Sequence, residues 1–259
     1  MRSAFVIAML GLMSVTIFAQ QSSLSAPDID VLLAKLRSNS GGERDSAYER
    51  LKAIPAALQN PKVKAALLDL LDRETQRMIG TPRLGDSEVG VGTEGFAEYY
   101  SELSSTASDI GDWDDPHQVC VLVRGAGTPP ARSAQEAASR ERVAWPCLQQ
   151  MAVDHAPIER IAASRTLIEL TRRAGSANDP AIGQNAKQTI VHLLHDQNES
   201  VRAETINSLE QFGTEDMISE LKQVAESDPA VAKRTQNYWL RNRAAKAIVA
   251  IQKRSSQQQ

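Results

Sequence analysis

Cys120 and Cys147 are the only cysteines in the chain, and an even pair has one obvious chemistry, an intramolecular disulfide. Such a bridge would tie a short apolar segment to the helix around Trp145 and constrain the unfolded chain by about 3–4 kcal/mol. Spacing alone leaves two separate buried thiols as the alternative, because it does not bring two Cα atoms into bonding range. His192 and His195 stand three apart with Asp196 beside them, a spacing that can put two imidazoles on one helix face for zinc or iron. A helix-end role for His195 competes, since a histidine is favourable at a helix carboxyl terminus. Asp112, Asp114, Asp115 and His117 cluster around Trp113, and hard cations take clustered carboxylates. The EF-hand spacing and its closing Glu are missing, however, and Asp is equally at home capping turns. GxSxG, phosphate-binding glycine loops and HExxH are all absent. No catalytic residue, metal site or cofactor is therefore assigned.

A different chemistry is offered by Tyr238, Trp239, Arg241 and Arg243, an aromatic and basic mixture suited to gripping an anionic surface. Trp113 is a second candidate anchor for a partner, with burial in the core as its competing fate. Charge is distributed unevenly. Between 85 and 115 there are acidic residues at 86, 88, 94, 98, 102, 109, 112, 114 and 115 and no Lys or Arg, whereas nothing acidic follows Asp228. The net charge of -3 implies no bulk affinity for nucleic acid, so none is expected as a partner. The basic end would sooner meet a phosphate-rich envelope surface or the protein's own acidic middle, while the partner expected of the protein as a whole is another protein.

The elements that must position these residues read as helices. The 259 residues are 42% hydrophobic but only 4% aromatic, Ala and Leu dominate, and the β-branched and aromatic runs of strands are missing. Residues 1–19 differ: Arg2 precedes an apolar run that closes on Ala19, which reads as a secretory signal peptide with no membrane span left after cleavage. Residues 20–27 form a polar leader. A single helical domain is expected over 28–254, with inserted loops at 80–95 and 111–117 and a disordered tail at 255–259. Expected helices cover 28–37 (capped by Asp28), 43–57, 61–78, 96–110, 157–174, 180–195, 200–212, 214–227 (capped by Thr214) and 231–254. The stretch 131–153 reads as one helix kinked or split at Trp145-Pro146. HQVCVLV after Pro116 could be helix or strand by periodicity, and the short-helix reading is adopted.

Self-similarity runs through these helices. The pattern Arg, then Ala or Thr at +3, Leu or Ile at +7 and an apolar residue at +10 occurs at Arg44, Arg160, Arg202 and Arg241. The last two intervals are 42 and 39 residues, and an Asp stands six before the Arg at Asp154 and Asp196. This pattern resembles HEAT-like repeats of the kind also found in bilin lyases, and is clearest over 154–254. The resemblance implies an all-α, right-handed α-α superhelix, a HEAT/armadillo-like solenoid, with an irregular middle. It also implies that Asp154, Arg160, Asp196, Arg202, Arg241 and Arg44 form a hydrogen-bonded ladder between units. Ser38 takes the Asp place before Arg44, and thirteen residues separate Asp228 from Arg241, as though seven were inserted.

Together these features point to an exported, non-catalytic scaffold, periplasmic or extracellular, that binds another protein. The alternatives are a HEAT-like enzyme or lyase with its site between 80 and 117, and a binder of an anionic envelope ligand through the basic last helix.

Overall fold

A computed structural model describes residues 25–80, 94–125, 131–173, 179–231 and 237–257. The expected signal peptide, most of the polar leader and most of the 80–95 loop lie outside the described residues. Every regular element among the described residues is a helix.

Helix starts follow side-chain chemistry closely. In α1 (Ala26–Leu36) the cap is Ser25 rather than Asp28: the Asp28 N–H donates to Ser25 Oγ and the Ser25 N–H returns to Asp28 Oδ2, a reciprocal capping box. Ser40 caps α2 (Gly41–Lys52), which is shorter than expected because Pro55 opens a separate turn, α3 (Pro55–Leu58). The long α4 (Pro61–Gly80) and α5 (Glu94–Ile110) complete the first half. HQVCVLV is helical, within α6 (Pro116–Gly125), and buries Val119, Leu122 and Val123.

The expected single helix over 131–153 is two, α7 (Ala131–Ser139) and α8 (Glu141–Ala152), and the break falls at Arg140 rather than at Pro146. Arg140 leaves helical geometry at φ -118° and ψ 46°, its guanidinium held by Glu136 at 2.8 Å and Asp114 at 3.1 Å. Pro146 sits on the exposed side of α8, one turn after exposed Arg142, where water can serve the carbonyl that a missing N–H leaves unpaired.

The second half is regular. α9 (Pro157–Arg173), α11 (Glu199–Phe212) and α13 (Trp239–Gln257) pack side by side as one layer. α8, α10 (Pro180–Leu194) and α12 (Ile218–Ser227) form the layer behind it. Helix α12 follows a single 3-10 turn over Glu215–Met217, so Thr214 is not the cap expected of it; its hydroxyl donates to the Asp216 carboxylate instead. Helix α13 continues through Gln257, past the expected end at 254. One buried cluster runs from Leu32 to Ile251, so the irregular middle shares its core with both ends. This is an all-α solenoid.

Gly213 ends α11 for a steric reason. Its φ of -64° and ψ of 155° are open to any residue, but a Cβ there would stand 2.6 Å from the Leu209 carbonyl oxygen and 3.0 Å from Ile251 Cδ1 on α13. Gly213→Ala is expected to cost about 1–3 kcal/mol through this overpacking. A lower melting temperature with unchanged helical circular dichroism would show it; unchanged melting would mean that α13 has room to give.

Candidate functional site

The charged residues of the repeats meet in a chain of bonds. Arg160 donates through Nε and NH2 to both Asp196 oxygens, at 2.6 and 2.9 Å, and through NH1 to the Asp154 and His155 carbonyls of its own loop. Arg202 repeats the arrangement one unit on, at 2.7 and 3.2 Å to Asp228 and through NH1 to the Asp196 and Gln197 carbonyls. Each Asp also accepts from the N–H two residues ahead, Ala156, Asn198 and Ala230, which holds its loop in an Asx turn. Arg160, Asp196, Arg202 and Asp228 are all buried. Charge-assisted, bidentate bonds of this kind fix both distance and orientation between units.

An Arg bonds the carboxylate of the following unit and only the backbone of the Asp six before it. Two of the acceptors, Asp228 and Glu74, are not among the ladder residues expected from the sequence. The Asp-x-Ala sequence shared by Asp154-His155-Ala156 and Asp228-Pro229-Ala230 would have found the first. Glu74, on α4, receives Arg44 Nε at 2.6 Å and also Arg77 at 3.2 Å, and no repeat spacing marks it. Ser38 does fill the Asp place before Arg44: its hydroxyl accepts from the Ser40 N–H at 3.0 Å and its carbonyl from Arg44 NH1 at 2.9 Å.

Arg241 ends the series. Its Nε donates to the Asp228 carbonyl at 2.8 Å across the insertion, and its guanidinium stacks 3.8 Å from the Tyr238 ring. Arg243 stands 5.9 Å from the Trp239 ring. Arg254 turns back to cap α11, donating to the carbonyls of Leu209, Glu210 and Gly213.

The remaining candidates resolve into structure. Trp113 is buried and its indole N–H donates to the Ser108 carbonyl at 3.0 Å, which removes it from the exposed anchors. The loop expected over 111–117 is a five-residue turn, for Pro116 already begins α6. Its acids cap and close that turn: Asp112 accepts from the Asp114 N–H, and Asp115 from the His117 N–H and the Gln118 side chain. The Gln118 and backbone bonds hold the Asp115 carboxyl below its ordinary range. An open depression beside the turn is lined by Pro61, Lys64, Leu68, Ile110, Asp112 and Gln118, without Asp114 or His117. His195 caps the end of α10, its N–H on the His192 carbonyl, and both histidines are exposed. No grouping of three metal-ligating side chains occurs among the described residues.

Cys120 and Cys147 are bonded, with Cα atoms 5.5 Å apart, and join α6 to α8. The loop so closed contains α7, and both α6 and α7 pack on α9. Ala162 and Glu169 of α9 are buried there, whereas their counterparts 42 residues on, Glu204 and Gln211 of α11, are not. Glu159, also buried, lies 3.3 Å from Arg124 of α6; burial raises its carboxyl above the ordinary value and the guanidinium opposes that rise. On the same side, Tyr100 and Thr75 share a 2.7 Å hydroxyl bond, and burial pushes the Tyr100 phenol up to about 12.

With this geometry in view, comparison with known families matches residues 146–236 to HEAT repeats. Residues 146–236 are a HEAT-repeat array. The match begins within α8 and takes in α9 to α12 with the Arg160 and Arg202 bonds; α13 extends the same layer beyond it. Comparison with curated proteins finds no match.

Removing one partner of a buried ion pair leaves the other uncompensated, so Arg202→Ala should destabilise the protein by about 3–5 kcal/mol. Arg202→Lys should recover only part, because an ammonium does not make the bidentate bond. Denaturant titration of the three proteins checks the order; equal stability would remove the bond from the forces that hold the repeats. For the bridge, alkylation without reductant should leave the mass unchanged, and Cys120→Ser/Cys147→Ser should cost about 3 kcal/mol. Alkylation of both cysteines without reductant would show the bond absent.

Proposed function

We propose that this protein is an exported HEAT-repeat scaffold or adaptor, non-catalytic, that binds another protein through the surface of its helical array. HEAT repeats commonly bind proteins, and that fold supports the binding role. The observation that carries the reading is how the polar groups of the array are used. Its buried arginines and aspartates are committed to one another and to loop carbonyls, and in the 111–117 stretch Asp112 and Asp115 accept turn and cap bonds while Asp114 pairs with Arg140. Among the described residues, the side of the front layer over α11 and α13 that no helix packs over is a polar and cationic surface. The disulfide and the expected signal over residues 1–19 support a place outside the reducing cytoplasm, periplasmic or extracellular. No helix among the described residues is long and apolar enough to cross a membrane.

Affinity capture with the full chain from an envelope extract tests this reading. A protein partner retained reproducibly is the expected result; recovery of a small molecule or a metal with no protein would overturn it. Processing after Ala19, read by amino-terminal sequencing of the exported protein, should yield Gln20 first.

A further inference from the structure

Five cations lie on α13, and no acidic residue shares the chain beyond Asp228 to offset them. Two are committed to the fold, Arg241 to the Asp228 carbonyl and Arg254 to the end of α11. The side chains of the other three, Arg243, Lys246 and Lys253, have no ion pair or hydrogen bond among the described residues; Arg243 only leans over Trp239. They share a side. Positions 239, 243, 246, 250 and 253 recur four, three, four and three apart, which is one stripe of a helix. The corresponding positions 39 earlier, half-buried Ser200, Glu204 and Asn207 and exposed Gln211, form the matching stripe of α11, so the cationic row continues a side of the array that no described helix packs over.

We propose that this row docks an extended acidic segment of a partner protein, an assignment that rests on the scaffold reading above and names the chemistry of its ligand. Length fits. Arg243 to Lys253 spans about 15 Å at the helical rise, and acidic residues at alternate positions of an extended strand, three of them on one side, span about 13 Å. Width excludes broader anions. The row is one helix wide, and the neighbouring stripe carries Glu204, whose only ion pair among the described residues is a 3.9 Å contact with Arg165. A flat anionic membrane must meet that carboxylate together with the cations, whereas a single strand lying along α13 does not. Val249, 64% exposed and within one turn of both Lys246 and Lys253, adds an apolar contact that a side chain uses and a phosphate chain does not.

The test is fluorescence anisotropy of a labelled eight-residue peptide of alternating Glu and Ser, titrated with the full chain. A Gln-for-Glu peptide serves as control. The acidic peptide should bind at about 50 mM salt and at least tenfold more weakly at about 500 mM. Binding should fall at least tenfold in R243E/K246E, fall less in R243Q/K246Q, and stay unchanged in K35E/K222E, which reverses two exposed cations elsewhere; circular dichroism confirms that each is folded. No binding by the wild-type chain, equal binding by R243E/K246E, or equal binding of the Gln peptide overturns the proposal. Tighter binding to phosphatidylglycerol vesicles, lost with the same two substitutions, overturns it in favour of a membrane surface. If the peptide fails while capture from extract still retains a partner, this surface assignment falls and the scaffold reading stands; if capture yields no protein, the scaffold reading itself falls.

Discussion

A guanidinium shared between two repeats is the constraint on which the second half of this protein depends. A repeat of two helices has too little apolar surface to close a core alone, so its neighbours must be placed for it. Arg160 and Arg202 do this with both ends of the side chain: NH1 gathers the carbonyls of the loop behind, while Nε and NH2 clamp the carboxylate of the loop ahead. Asp196 then belongs to two units at once, through its oxygens to Arg160 and through its carbonyl to Arg202. The apolar packing of Val201, Ile206 and Leu209 against α9 and α13 is thereby given one register rather than several near-equivalent ones.

The first half solves the same problem with other residues. Ser38 replaces an aspartate in shaping its loop, because a hydroxyl accepts the same turn bond from the backbone. It carries no charge to receive an arginine from a neighbour, and the countercharge to Arg44 comes instead from Glu74 on a helix. Tyr48 and Tyr99 meet edge to face at 5.6 Å close by, so aromatic packing takes over where the loop ladder stops. Between the halves, α6 contacts both α4 and α8, and the bond from Cys120 to Cys147 holds that crossing covalently.

Periodicity made the helices legible because each buries one stripe, and the 42- and 39-residue intervals made the array legible because repeats recur. What stayed hidden was three-dimensional pairing. The six residues between Asp154 and Arg160 do not say which carboxylate a guanidinium reaches, and the Arg160 side chain goes forward to Asp196. Trp113 among four polar neighbours reads as either an exposed anchor or a core residue, and the turn folds its ring onto the core, where the Ser108 carbonyl at the end of α5 receives the indole. Pro146 reads as a helix break, but a break needs a lost bond that water cannot replace, and Pro146 is exposed. Arg140, unremarkable in sequence, ends α7 because Asp114 reaches it from 26 residues away.

Helix α7 gives the array a closed end. It lies with α6 against α9, where a regular solenoid would leave a free stripe, and the disulfide loop keeps it there. The open face is consequently two helices wide, about 20 Å at ordinary helix spacing. On its α9 side that face is bounded by α7. The bridge between Cys120 and Cys147 thus fixes how much of the front layer stays open, through a helix that is not itself part of the open side.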